Sequence, residues 1–216
     1  MSPISTLTQV LTRVAVLGLL LACAATCRAA GPQPATADPS RTLYAPVYTA
    51  EGKLEFPAGY REWIFLSSGL DMSYSDTPGK EAHSKFDNVF VNPESHRDFQ
   101  RTGTWADRTL FVLEVRGASR KGSINKHGKF QNTDLMAVEV HVKDTKRFPG
   151  GWAFYSFDGT EPAVRALPAT QVPLTEDCYD CHRKSGAVDT TFVQFYPTLI
   201  GIATQKGTLA PGYRPQ

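Results

Sequence analysis

Cysteine is scarce in this chain, at four of 216 residues, and methionine is scarcer still at three. Cys23 and Cys27 lie in or just after an uncharged amino-terminal run that reads as a discarded leader. A disulfide framework is therefore excluded, and Cys178 and Cys181 remain as the pair available for chemistry. Long apolar runs are missing too. The stretch from Val14 to Ala25 follows Arg13, is too short to span a bilayer comfortably, and gives way to small residues. That order is a secretory signal's, with cleavage after Ala29, so residues 1–29 are expected to be a signal peptide and the mature chain to be periplasmic. Leu20-Leu21-Ala22-Cys23 also approximates a lipoprotein box, and an acylated Cys23 would be the one route to a membrane.

Charge of one sign is lacking as well. The chain has 23 basic and 21 acidic residues, and the leader removes Arg13 and Arg28 but no acid, leaving 21 against 21. Such a balance carries no electrostatic footprint for nucleic acid and predicts no charged membrane-binding face. No internal repeat is present.

What is there begins with a Pro- and Ala-rich tether, GPQPATADPS from Gly31, within a linker spanning residues 30–42. Residues 43–216 are expected to form one domain. Five segments have the β-branched and aromatic content of strands: Ile64–Ser67, Val89–Val91, Thr109–Arg116, Met136–Lys143 and Trp152–Phe157. A period of two puts Phe111, Leu113 and Val115 on one face, opposite Leu110, Val112 and Glu114. Both faces are largely apolar, which predicts a strand buried on two sides or lining a pocket. In the next strand Val138, Val140 and Val142 alternate with Glu139, His141 and Lys143, so one face meets the core and the other meets solvent or a polar site. Asn92-Pro93-Glu94-Ser95 predicts a capped helix that Gly103 stops, and a second helix is expected at the late cysteines, interrupted by Gly186. Gly117 to Lys129 reads as a polar loop.

The chemistry is concentrated in Cys178-Tyr179-Asp180-Cys181-His182. Covalent haem attachment needs two thiols about one helical turn apart, to add to the two vinyl groups, and a histidine next to the second to reach the iron. A structural zinc site would need four ligands and finds no second Cys pair. A thioredoxin-like dithiol belongs early in a βαβ unit, not late after a Pro-containing segment. One motif predicts one haem c, with His182 as the iron ligand. Neither Met nor His follows His182, so a sixth ligand would have to come from Met72, His83, His96, His127, Met136 or His141 upstream, and the expected state is an open sixth position.

From about Tyr60 to Ile202 the sequence resembles the cytochrome P-460 and cytochrome c′-beta group. The matching pieces are Tyr60-Arg-Glu-Trp63, Val89-Phe-Val-Asn-Pro-Glu-Ser95, Gly151-Trp-Ala-Phe-Tyr155, the Cys-x-x-Cys-His segment, and Asp189 with Phe192-Val-Gln-Phe-Tyr-Pro197. The resemblance implies an α+β fold, mainly antiparallel sheet with a few helices, and a haem open on its distal side. In the P-460 branch a lysine bonds to the haem edge and hydroxylamine is oxidised. Leu113 aligns with that lysine, Asp87 with a distal arginine, and Glu139 with the pocket carboxylate. The chain is thus closer to the branch without the cross-link. Leu113 with Phe111, and Phe86 as a further wall, predicts an apolar pocket suited to nitric oxide or a related nitrogen-oxide ligand.

The runner-up is a hydroxylamine or nitric oxide oxidoreductase that uses Glu139 as proton acceptor and passes electrons to a soluble cytochrome. A simple electron carrier ranks third. A homodimer stays open.

Overall fold

The computed structural model describes residues 44–72, 84–157 and 165–213. The expected signal, the linker, Cys23 and His83 lie outside them. Among the described residues the regular elements are β1 (Ile64–Leu70), β2 (Lys85–Val91), α1 (Pro93–Thr102), β3 (Leu110–Ser119), β4 (Phe130–Lys143), β5 (Trp152–Ser156), α2 (Asp177–Ser185) and α3 (Ile200–Lys206). Short 3-10 turns lie at Tyr60–Glu62 and Val193–Phe195. The five strands form one sheet in the order β1-β2-β3-β4-β5, antiparallel throughout, so each strand pairs with its sequence neighbour. This is the α+β architecture expected.

All five predicted strands exist, and four run longer than their apolar signal. β4 begins at Phe130 rather than Met136, because β3 continues to Ser119 and pairs Ala118 with Gln131 and Ser119 with Phe130. Ladder hydrogen bonds extend the hairpin through polar residues that bury little. Of the loop read from Gly117 to Lys129, only residues 120–129 stay outside the strands. Gly103 stops α1 as expected, at φ 75°. Asn92 does not cap that helix with its side chain. Its Oδ1 instead accepts the Leu110 backbone N–H at 2.9 Å, tying the start of the helix to β3.

The period of two divides the sheet as predicted. One face carries Leu110, Val112, Val138, Val140, Val142 and Tyr155, packed under Leu54, Tyr60, Trp63 and Phe157. The other packs Val91, Phe111 and Trp152 against Phe99 of α1, Trp105 and the carboxy-terminal Val188, Val193, Tyr196 and Leu199. β3 is covered on both sides, which explains its continuous apolar run.

Glu114 breaks that run. It is 1% exposed, on the face away from Leu113. Tyr60 Oη donates to its Oε2 at 2.5 Å, Arg116 Nε to its Oε1 at 2.7 Å, and Arg61 pairs with Oε2. Burial pushes this carboxyl up, but the Arg116 and Tyr60 bonds outweigh it and hold the pKa below its ordinary value of 4.5. The folded pKa is depressed, so the ionised network stabilises fully above about pH 4.5 and is lost as pH falls through the lower folded value. Glu114→Gln is expected to cost about 3 kcal/mol at pH 7 by leaving its arginines unpaired. Urea midpoints should converge with the wild type's as the pH falls below 4.5 and through the lower folded value.

Candidate functional site

Helix α2 puts Cys178 and Cys181 one turn apart, both half-buried and free, with His182 following. Its end is fixed by Gly186. A Cβ there would lie 2.7 Å from the His182 carbonyl O and the Thr190 C, and 2.8 Å from the Thr191 N. Only glycine lets the helix end meet the following turn so closely. That turn, Val188 to Thr191, closes through Thr191 N to Val188 O at 2.8 Å. Its central residues Asp189 and Thr190 sit at φ 44° and 61°, a left-handed backbone that costs non-glycine residues about 1–3 kcal/mol each.

The turn is held by surrounding bonds. Lys143 Nζ meets Asp189 Oδ2 at 2.5 Å and the Trp105 carbonyl at 2.8 Å. Trp105 Nε1 donates to Thr191 Oγ1 at 2.8 Å. The product of this strained, clamped turn is one aimed carbonyl: Thr190 O lies 2.8 Å from His182 Nδ1. A carbonyl only accepts, so Nδ1 carries the proton and Nε2 keeps its lone pair, the state a metal-ligating histidine needs.

The His182 ring is bounded by Phe192 at 4.2 Å, Phe154 at 4.7 Å and His141 at 4.9 Å between centroids. Burial pushes the His182 pKa down, partly offset by the Thr190 carbonyl, so the ring is neutral at pH 7. His141 is buried, stacked on Phe154 at 4.0 Å, and burial followed by the neighbouring His182 holds it well below its ordinary pKa. Its Nε2 is buried without a hydrogen-bond partner.

His182 faces a cavity of about 350 Å³ floored by the sheet. Phe111, Leu113, Val89 and Val115 supply the apolar floor, while Lys85, Asp87 and Glu139 add charge, and Phe192, Phe195 and Tyr196 cover it. Cross-strand register sets Leu113 between Val89 and Glu139, and Asp87 beside Val115. The three positions that the resemblance singled out, Asp87, Leu113 and Glu139, therefore share one wall of one cavity with Phe111. Glu139 is also near α2, where its charge adds to burial in raising the Cys178 thiol pKa.

Phe86 does not line this cavity. It lies on β2 between Lys85 and Asp87, which do, so strand alternation turns it to the other face with Asn88 and Phe90. Of the upstream residues considered as sixth ligand, Met72 and His141 line the cavity. His141 stands beside His182, and Met72 is 39% exposed with its thioether against Gly69. His96 is on α1, His127 on the hairpin loop, and Met136 is exposed on β4. The residues that orient His182 carried no individual signal in the sequence, since Thr190 acts through its backbone and Phe154 through a strand pairing with His141.

These residues fit a haem. A planar macrocycle requires apolar walls, one imidazole with an open lone pair and, for covalent capture, two thiols near the same histidine, and α2 and the cavity supply all three. The fold and site thus define an antiparallel-sheet protein with a histidine-centred cavity into which a haem would fit. The family model described as Cytochrome P460 matches residues 57–193, more than half of the chain. The chain belongs to the cytochrome P460 family, and membership implies a haem cofactor. A search of curated proteins finds no match.

Proposed function

We propose that the chain is an exported c-type cytochrome with one covalently bound haem that holds nitric oxide or a related small nitrogen-oxide ligand at an open iron position. The observation that carries this reading is Leu113 in the middle of the cavity floor, between Val89 and Glu139, at the position where the resemblance to the P-460 branch implies the cross-linking lysine. A haem bound here would supply an iron that His182 could ligate and at which a small ligand could bind. The chain's own residues would do the rest. Cys178 and Cys181 retain the macrocycle by thioether bonds, and Thr190 O orients His182. Phe111, Leu113, Val89 and Val115 give the floor an apolar patch without hydrogen-bond donors, the Lys85 amine lying elsewhere on the lining, and such a patch favours nearly neutral ligands over bound dioxygen.

Glu139 on the same floor supports a second reading, hydroxylamine or nitric oxide oxidation with this carboxylate accepting a proton and electrons leaving to a soluble cytochrome. One set of spectra separates the alternatives. The ferrous protein is expected to be five-coordinate and to change its absorption on adding nitric oxide, with no hydroxylamine turnover in the presence of an electron acceptor. A low-spin ferrous protein that ignores nitric oxide, and becomes five-coordinate in Met72→Leu, would sink the open site. Turnover lost in Glu139→Gln would establish the second reading instead.

A further inference from the structure

The near balance of charge over the whole chain conceals a local excess. Residues 117–129 include Arg120, Lys121, Lys126 and Lys129 and no acid. β2 pairs with β3 no further than Lys85 with Gly117, whereas β3 and β4 run on together to Ser119 and Phe130. The hairpin ladder thus runs on past the end of β2, although the Ala118 N–H still donates to the Ser84 carbonyl at 2.8 Å, and its turn carries Arg120, Lys121 and Lys126 at exposed positions. Lys129 is tied to Asp71 at 2.6 Å. Arg120, Lys121 and Lys126 have no ion pair among the described residues.

At the apex Ile124 is 91% exposed, flanked in sequence by Lys121 and Lys126. The loop that presents it is internally bonded. Asn125 Nδ2 donates to the Arg120 carbonyl at 2.9 Å, and the Asn125 N–H to the Gly122 carbonyl at 3.2 Å. Gly122 lies against the Phe130 ring, where a Cβ would come within 3.2 Å. These contacts hold the apolar side chain outward instead of letting it fold onto the sheet.

We propose that this tip binds an anionic lipid surface, with Ile124 entering the headgroup region and Arg120, Lys121 and Lys126 meeting lipid phosphates. An exposed hairpin turn with one apolar side chain close in sequence to three exposed cations suits a yielding, negatively charged interface, and a protein partner would need a matching groove. The site is separate from the cavity and does not depend on the ligand held there.

The test is co-sedimentation of the full haem-loaded chain with vesicles of about one-third phosphatidylglycerol in phosphatidylcholine, against pure phosphatidylcholine. An acylated Cys23 would hold the chain to both alike, so the difference between them isolates the tip. Preferential binding to the anionic vesicles is expected, weakening as salt is raised. The triple variant Arg120→Gln, Lys121→Gln, Lys126→Gln should weaken it about a hundred-fold, at roughly five-fold per charge. Ile124→Ser should weaken it about ten-fold with the charge unchanged. An unaltered haem spectrum verifies folding of each variant. Equal binding to both vesicles, or indifference to the triple variant, would overturn the proposal. So would failure to bind either vesicle combined with charge-dependent reduction by an acidic cytochrome, which would assign the tip to a protein partner.

Discussion

Alanine at Cys178 or at Cys181 is expected to leave one thioether at most, and the double variant none, so that acid-acetone extraction strips the haem from a chain whose mass is then that of the polypeptide alone. The two thiols lie one turn apart on α2, on the helix that delivers His182 to the cavity. His182→Ala separates attachment from ligation. Both thiols survive in it, so covalent haem should persist by mass while the iron loses its protein nitrogen and the absorption spectrum changes throughout. A double Cys variant that still carries covalent haem would refute the assignment of Cys178 and Cys181. An unchanged spectrum in His182→Ala would refute that of His182.

Gly186→Ala is the second large effect, and it needs no change to any group that touches haem. The added methyl would meet backbone atoms of His182, Thr190 and Thr191 at 2.7–2.8 Å, and backbone cannot swing aside as a flexible side chain does. The expected cost is about 3 kcal/mol, the upper end for overpacking a filled site. The relief open to the chain is to move the Asp189–Thr190 turn, which already holds two left-handed residues and is clamped by Lys143 and Trp105. Moving it withdraws Thr190 O from His182 Nδ1. A stability loss in urea should therefore be accompanied by a shifted spectrum. Gly201→Ala, where a Cβ meets nothing within 4 Å, is the control. It should be neutral or stabilising by about 1 kcal/mol, as alanine is in a helix. A Gly186→Ala protein as stable as the wild type and with its spectrum would show that the close approach does not govern the site.

The parts of this molecule that could be read from residues alone are those whose physics is local. Two thiols and an imidazole in five consecutive residues mark a candidate haem-attachment site by their spacing, and alternation in Val138 to Lys143 puts Glu139 and His141 on one face without reference to pairing. Strand existence was legible for the same reason. Alternation should also have warned against Phe86: it cannot share a face with both of its neighbours, and Lys85 and Asp87 are the ones at the cavity. Asn92 looked like a helix cap because a cap is a local signal, yet a backbone N–H eighteen residues away took its oxygen. α3 was missed because its single heptapeptide is anchored by packing of Leu199 and Ala203 and by little that is intrinsic to it.

By itself, then, the sequence singled out Cys178, Cys181 and His182 as the candidates for haem attachment and determined the five strands and their two faces. Only the tertiary structure decided which nitrogen of His182 is free, because that depends on a Thr190 carbonyl aimed by a turn whose clamps, Lys143 and Trp105, lie 46 and 86 residues away from their partners. It also decided that Asp87, Leu113 and Glu139 share one cavity, since three separate strands bring them together by register. A periodicity can say which way a side chain faces. What it faces depends on contacts between distant segments, and those exist only once the chain has folded.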